Sequence, residues 1–236
     1  MGSVDASDYT IVIPQHNEAT LTVECVRSFR AAEQPSGRVL IVDDGSRPSE
    51  LGMTQRALSS ECILRQRHQG VSAAWNLGAR TCASQYLVFL NNDVVSRGPW
   101  VEELLMPLRR GEVVMTGAAC RRETAVGREL LSQLRTACFL EGWCLALSAA
   151  LLQQIGGFDE SLRLYFSDTD VQLRLLESAG LDGDALRVVS GLPLSHTGHC
   201  STRRVPNRQE VWMRDRERFV QKWTKRTAES QRRGER

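Results

Sequence analysis

The stretch Tyr86–Val95, YLVFLNNDVV, decides the fold. Its five apolar residues, Tyr86–Leu90, have the length and composition of a strand buried on both faces, as in a parallel sheet. The run stops abruptly at Asn91, Asn92 and Asp93. An apolar strand that ends in a short polar cluster sets those side chains at the carboxyl edge of a sheet, where open α/β folds bind ligands. The residues alone leave two readings of Asp93: it holds a metal and a phosphate, or it closes a turn.

Upstream, Thr10–Pro14 (TIVIP) and Val39–Val42 (VLIV) are similar short runs, and Cys62–Leu64 is a weaker one. Helices are predicted between them. Leu21, Cys25 and Phe29 recur at four-residue spacing, a short helix fits the polar stretch before Ser60, and Gly70–Ala83 carries small residues on one side. Strands alternating with helices signal βαβ units, a parallel sheet and right-handed crossovers. Downstream, the pattern predicts a helix over Trp100–Leu108, a strand over Val113–Ala119 and a polar, flexible connection with several charges over Arg121–Arg135. A strand at Trp143–Leu147 runs into a helix at Ser148–Ile155 that Gly156 and Gly157 end. Asp168–Ala179 reads as a helix stopped by Gly180, followed by extended pieces at Val188–Ser190 and Pro193–Ser195. Gln209–Lys225 is amphipathic, with Trp212, Met213, Phe219, Val220 and Trp223 assigned to one face and arginines to the other.

The expected fold is therefore α/β: a Rossmann-like, doubly wound, mostly parallel sheet flanked by helices, with a C-terminal amphipathic helix. Residues 1–226 are expected to form one domain, its nucleotide-binding half at 8–98 and its catalytic half at 99–226, followed by a basic, disordered tail at 227–236. An apolar fraction of 42% and a charged fraction of 25% suit an ordinary globular chain able to bury a core. Charge is uneven: twelve Lys/Arg against five Asp/Glu from Arg203 onward give the C-terminal region +7 within a net +2. Seven scattered cysteines without a CxxC pair argue against a zinc site or a disulfide framework, and are expected to be reduced core residues of a cytoplasmic protein. No stretch approaches the ~20 apolar residues of a membrane span.

Two strand ends, Asp43-Asp44 and Asn92-Asp93, belong to neighbouring βα units and should face one crevice. One carboxylate there can accept hydrogen bonds from a base or ribose, and another can bind Mg²⁺ or Mn²⁺ bridging phosphate oxygens. Both clusters also suit turns or helix caps. Dinucleotide chemistry is disfavoured, because Gln15-His16-Asn17-Glu18 stands where a glycine-rich turn would be needed, and no GxxxxGK[ST] loop occurs.

Six segments in order, IVIPQHNE (11–18), IVDDGS (41–46), QGVSAAWNLGA (69–79), FLNNDV (89–94), GGFDESLRLYFSDTDVQLRL (156–175) and SHTGHCS (195–201), resemble glycosyltransferase family 2. These are inverting enzymes of the GT-A fold, and the pattern is most similar to the rhamnosyltransferase-like branch. The likeness runs from Thr10 to Trp223. It implies that Pro14, His16, Glu18 and above all Asp44 hold the nucleotide base, with Gly70 and Asn76 along the nucleotide. Asn91-Asn92-Asp93 falls at the family's DxD-like motif, so Asp93 would bind Mn²⁺ or Mg²⁺ and Asn92 the ribose or sugar. Gly142 and Trp143 match sugar-contacting positions. Asp168 matches the general base, Asp170 is left as a structural or acceptor contact, and His196 matches a histidine that completes the metal shell. The sequence departs from the pattern where Asn91 leaves a single carboxylate in the DxD-like motif, and where Ser167 replaces the Glu of a Glu-Asp pair.

The resemblance implies a single displacement at the anomeric carbon. An acceptor hydroxyl attacks while Asp168 takes its proton, and the metal stabilises the leaving diphosphate. The expected partners are a UDP- or dTDP-sugar donor and a glycan or lipid-linked glycan acceptor, without nucleic acid, since no basic–aromatic platform is present. The basic C-terminus is a candidate for peripheral contact with the inner face of a membrane. A non-catalytic module that binds a sugar nucleotide is the alternative.

Overall fold

The computed structural model describes residues 8–33, 37–198 and 207–234. The first half alternates as expected: β1 (Tyr9–Gln15), α1 (Ala19–Ala32), β2 (Arg38–Asp44), α2 (Pro48–Ala57), β3 (Cys62–Gln66), α3 (Val71–Thr81) and β4 (Tyr86–Leu90). Then come β5 (Val94–Ser96), α4 (Val101–Arg109), β6 (Met115–Gly117), β7 (Cys120–Arg122), α5 (Arg128–Gln133), β8 (Cys138–Leu140), β9 (Cys144–Ser148) and α6 (Ala149–Gln154). The chain closes with α7 (Ser167–Ala179), β10 (Leu186–Val188), β11 (Leu194–His196) and α8 (Arg208–Gly234).

A seven-stranded sheet runs β10-β6-β9-β4-β1-β2-β3. Every pairing in it is parallel except those of β9, which runs against both β4 and β6. From β1 the chain winds outward to β3 and then returns to lay β4 on the other side of β1, so the direction of winding reverses between β1 and β4. That reversal opens a crevice at the carboxyl ends of both strands.

All five β4 residues are buried, and their alternation divides the core. Tyr86, Val88 and Leu90 pack with Ile11, Ile13, Phe29 and Leu104 on one face, and Leu87 and Phe89 pack with Val12, Leu40, Trp75 and Val171 on the other. Helix α3 lies so close to the sheet that a Cβ at Gly78 would stand 2.3 Å from Val12 Cγ1. Alanine is the better helix former by up to ~1 kcal/mol, but β-branched Val12 in mid-strand has little room to yield. Gly78→Ala is accordingly expected to destabilise the fold by about 1–3 kcal/mol, the range for overpacked cores, read as a lower denaturation midpoint.

A third cluster joins α5, α7 and α8 through Leu130, Leu173, Phe219 and Trp223. The inner stripe of α8 is Trp212, Asp215, Phe219 and Trp223, whereas Met213, expected on that face, is 50% exposed because it lies about 100° around the helix from Trp212. The expected disorder from 227 also gives way. Helix α8 continues to Gly234, and Arg226 pairs with Glu177 while Thr227 bonds Gln133. Residues 227–234 are mostly compatible with a helix once its start is anchored.

Lys222 ties this helix down, its Nζ lying 2.7 Å from both Asp159 and Asp170. Burial works against the Asp159 carboxylate, but bonds from Lys222 and Ser161 outweigh it and bring the pKa to about 2. A carboxylate depressed in the folded state stabilises it above the ordinary value near 4, an advantage lost as pH falls toward 2. Lys222→Met is thus expected to lower the melting temperature at neutral pH, and its deficit against the wild type should narrow below pH 4.

The connection after Arg121 is more ordered than its polarity suggests. Strands β7 and β8 form a ribbon of three residue pairs, and α5 sits within the excursion they bracket. Three-residue strands are too short for a period-2 signal. The cysteines also depart from expectation. Cys25 and Cys144 are buried, but Cys62 and Cys82 are only partly covered, and Cys120 and Cys138 are exposed. Among the described residues no helix is long and apolar enough to cross a membrane.

Candidate active site

The turn after β4 buries Asp93 to 3% exposure. Antiparallel pairing of β11 with β5 sets His196 opposite Val94, and the Thr197 amide donates to the Asp93 carbonyl at 3.1 Å. His196 Nε2 thereby comes 3.2 Å from Asp93 Oδ1. That separation would allow an ion pair, yet His196 Nε2 is buried and makes no hydrogen bond of acceptable geometry. The arrangement suits two ligand atoms better than a donor and its acceptor. A carboxylate and a neutral imidazole fit Mn²⁺ or Mg²⁺ when waters and phosphate oxygens fill the remaining positions. Trp143 fixes the imidazole by stacking on it, with ring centroids 4.8 Å apart and planes 16° from parallel, and its own indole N–H donates to Glu141 at 2.9 Å.

Next to Trp143 in the chain, the Gly142 amide donates to Asp168 Oδ2 at 3.1 Å. A Cβ at Gly142 would stand 3.1 Å from both Cβ and Oδ2 of Asp168, so this close approach favours glycine. Asp168 is in the first turn of α7, where the helix dipole favours a negative charge. It accepts four hydrogen bonds. Arg121 reaches Oδ2 at 2.8 Å and Oδ1 at 3.3 Å, the Thr169 amide reaches Oδ1 at 3.0 Å, and Gly142 completes the set. The carboxylate in turn holds the Arg121 guanidinium above its ordinary pKa.

At the β1–β2 edge, Asp44 is nearly buried and its oxygens are taken by this chain's own donors. Oδ1 accepts from Gln66 at 2.7 Å and the Gln69 amide at 2.8 Å, while Oδ2 accepts from the Gly70 amide at 2.8 Å and lies 2.9 Å from His68 Nδ1. Asp44 thus pins the turn into α3, where Gly70 adopts φ 102° and a Cβ would meet the Arg163 carbonyl at 2.5 Å. His16 bonds the Asp44 carbonyl at 2.8 Å, and its exposed ring lies 4.1 Å from that of His68. His16, Asp44 and His68 each bring a potential metal-ligand atom within 4.8 Å of the others, but an ion there would have to displace donors from Asp44.

The remaining residues separate. Pro14 is half-buried, paired with Val42 across the β1–β2 register. Glu18 takes a left-handed conformation, φ 54°, at the start of α1. Asn92 turns away from the crevice edge to donate to Thr22 on α1 at 3.1 Å. Asn76 is engaged by Phe158 and Glu160, bracing α3 against the loop before α7. Asp170, given above as a structural or acceptor contact, is fully buried and held by Arg174, Lys222 and Trp223. That puts it at the α7–α8 joint and removes it from any sugar subsite. His199, the second histidine of the SHTGHCS segment, lies outside the described residues. Arg121, His68 and Glu141 had no sequence signal, because each is defined by a partner distant in the chain or by a fold-dependent neighbour.

The family model "Glycosyl transferase family 2" matches residues 10–170, which covers β1 through the start of α7. The chain belongs to glycosyl transferase family 2. Among relatives of this family-2 chain, a pre-mycofactocin glycosyltransferase of Mycobacterium tuberculosis is 29% identical over 72% of the chain. The alignment covers 39% of that relative, so the chain spans about two fifths of its length. An uncharacterised glycosyltransferase of Rickettsia prowazekii is 21% identical over 92% of the chain and 72% of its own length. Among solved structures, glucosyl-3-phosphoglycerate synthase of M. tuberculosis, in complex with Mn²⁺, UDP and glucosyl-3-phosphoglycerate, superposes with a TM-score of 0.66 at 19% identity. That match covers 93% of this chain and 79% of the synthase. A mannosyltransferase of Pyrobaculum calidifontis, bound to GDP-mannose and Mn²⁺, gives 0.57 at 15% identity over 78% and 55%. At such identities the superpositions establish the shared fold, a mostly parallel sheet flanked by helices.

Proposed function

We propose that this chain is an inverting glycosyltransferase that moves a sugar from a UDP- or dTDP-sugar to a hydroxyl of a glycan or lipid-linked glycan acceptor. One observation carries the reading: two successive residues join the two halves of the chemistry. Gly142 holds Asp168, and Trp143 holds the ring of His196 against Asp93. Asp93 and His196 would hold the divalent ion, which supplies positive charge to the leaving diphosphate.

In this reading Asp168 accepts the acceptor proton. Its oxygens already receive four bonds, so one must lengthen, and the 3.3 Å contact from Arg121 to Oδ1 is the weakest. Gly142 and Thr169 keep the carboxylate oriented as it does so. His16 and His68 form the exposed wall against which the base stacks, and the backbone around Asp44 supplies its polar contacts. The similarity to the rhamnosyltransferase-like branch adds deoxyhexose donors to the candidates. The polar face of α8 is the surface offered to anionic lipid, which sedimentation with anionic vesicles at low and high salt would test.

Thermal denaturation with UDP or dTDP, with and without Mn²⁺, tests the core of the proposal. Nucleotide at a hundred times its Kd is expected to stabilise the fold by about 2.7 kcal/mol when Mn²⁺ is present, and less without it. No shift with either nucleotide and either metal would sink the reading. A non-catalytic sugar-nucleotide-binding module is favoured by one feature, the two-pronged grip of Arg121 on Asp168, since a module has no need to free that carboxylate.

A further inference from the structure

Cys120 and Cys138 are the exposed cysteines among the described residues, and they meet. Cys120 pairs with Leu140 and Cys138 with Arg122, which makes the cysteines diagonal neighbours across the β7–β8 ribbon with sulfurs 3.8 Å apart. Nothing in the packing asks for cysteine at either position, whereas Cys25 and Cys144 fill the core. The residue after Cys120 is Arg121, whose guanidinium grips Asp168. Opposite Arg121 stands Phe139, fully buried and fixed in the α5–α7–α8 cluster.

We propose that Cys120 and Cys138 are an oxidation site, forming a reversible intramolecular disulfide with a hydroperoxide as oxidant, and that this bond disturbs the grip of Arg121 on Asp168. One thiolate attacks the peroxide, an S–O bond forms as the O–O bond breaks, and the sulfur becomes a sulfenic acid while hydroxide leaves and takes up a proton. The second sulfur attacks the first, the S–S bond forms and the S–O bond breaks, and hydroxide departs with the remaining thiol proton as water. Two thiols and one hydrogen peroxide thus give one disulfide and two waters, with two electrons passing from sulfur to the peroxide. A thiol reductant reverses the bond by exchange.

The two sulfurs share one hydrogen bond, and keeping the proton in that contact holds the Cys120 thiol above its ordinary pKa. Proximity, not acidity, therefore selects the pair, and it reacts slowly. A disulfide brings its sulfurs to about 2.05 Å, so the two must approach by roughly 1.8 Å. Diagonal neighbours stand about 7–8 Å apart, beyond the span an unstrained disulfide bridges, so the strands must draw together or shear. Phe139 is held by the core, which leaves β7, with Arg121 on it, as the strand that moves. Strain of this kind makes a disulfide easier to reduce.

The test uses the whole chain treated with hydrogen peroxide, alkylated and digested without reduction. A peptide linking Cys120 to Cys138, two hydrogens lighter than the reduced pair, restored by dithiothreitol and absent in Cys138→Ser, is expected. Both cysteines remaining alkylatable, oxidation of each to a sulfinic acid without linkage, or linkage of either to another cysteine would overturn the site. The effect on Asp168 is read by amide hydrogen exchange at Gly142 and Thr169, its two backbone donors. Exchange at both is expected to quicken several-fold in the disulfide form and to recover on reduction; unchanged exchange would overturn the coupling. Neither readout depends on turnover, so a failure of the glycosyl-transfer reading would not be confused with a failure here.

Discussion

Asp168→Asn is expected to lower turnover by about 10²–10⁴-fold, the usual contribution of a general base, while nucleotide affinity with Mn²⁺ stays within about twofold, well under one RT-scale decade of 1.4 kcal/mol. The substitution is close to isosteric and keeps an oxygen for the Gly142 or Thr169 amide, so the start of α7 should hold its place. What disappears is the capacity to take a proton and the charge facing Arg121. Single-turnover rates at saturating donor, set beside calorimetric nucleotide binding, separate the two effects. Undiminished turnover would remove Asp168 from the chemistry. A wild type that binds nucleotide but never turns over any donor would instead favour the binding-module reading.

Asp93→Ala should abolish the metal response itself. The variant is expected to bind nucleoside diphosphate equally with and without Mn²⁺, and to lose roughly 10²-fold or more in turnover, as loss of several kcal/mol of charge stabilisation implies. Because Asp93 is buried and its carbonyl anchors Thr197, a folding defect must be separated from a ligand defect. Asp93→Asn serves that purpose, since it keeps the size and polarity of the side chain and removes only the charge. A metal-dependent gain in nucleotide affinity that survives in both variants would locate the cation elsewhere, and His16, Asp44 and His68 would be the next group to test.

Much of the fold was legible because its elements are local. Tyr86–Leu90 has one reading as a run of five apolar residues, and α7 begins and ends where Asp168 and Gly180 suggest. The site was less legible. Asp93, His196, Asp168 and Gly142 could be named by resemblance, and the fold brings Asp93 to His196 and Gly142 to Asp168. The sequence gives no hint, however, that Arg121 occupies Asp168, that Asp44 is saturated by its own turn, or that Asp170 is sealed beneath α8. Each of these depends on a partner 22 to 53 residues away, fixed only once the sheet and α8 are assembled. Asn92 and Asn76 teach the same lesson. Short amides at the right motif positions turned out to brace neighbouring elements, because a buried amide must find partners and the nearest ones were in the scaffold.

The β7–β8 ribbon also works as a socket. It clamps both ends of the excursion over residues 123–137, with a hydrogen bond from the Glu123 amide to the Ala137 carbonyl at its mouth. Whatever the chain does beyond that bond, Gly142 and Trp143 receive the same register. Doubling the length of the excursion would add only about 0.6 kcal/mol of closure entropy, so residues inserted there, with Val126 and Leu130 kept for the cluster under α8, would leave the sheet edge behind it as it is.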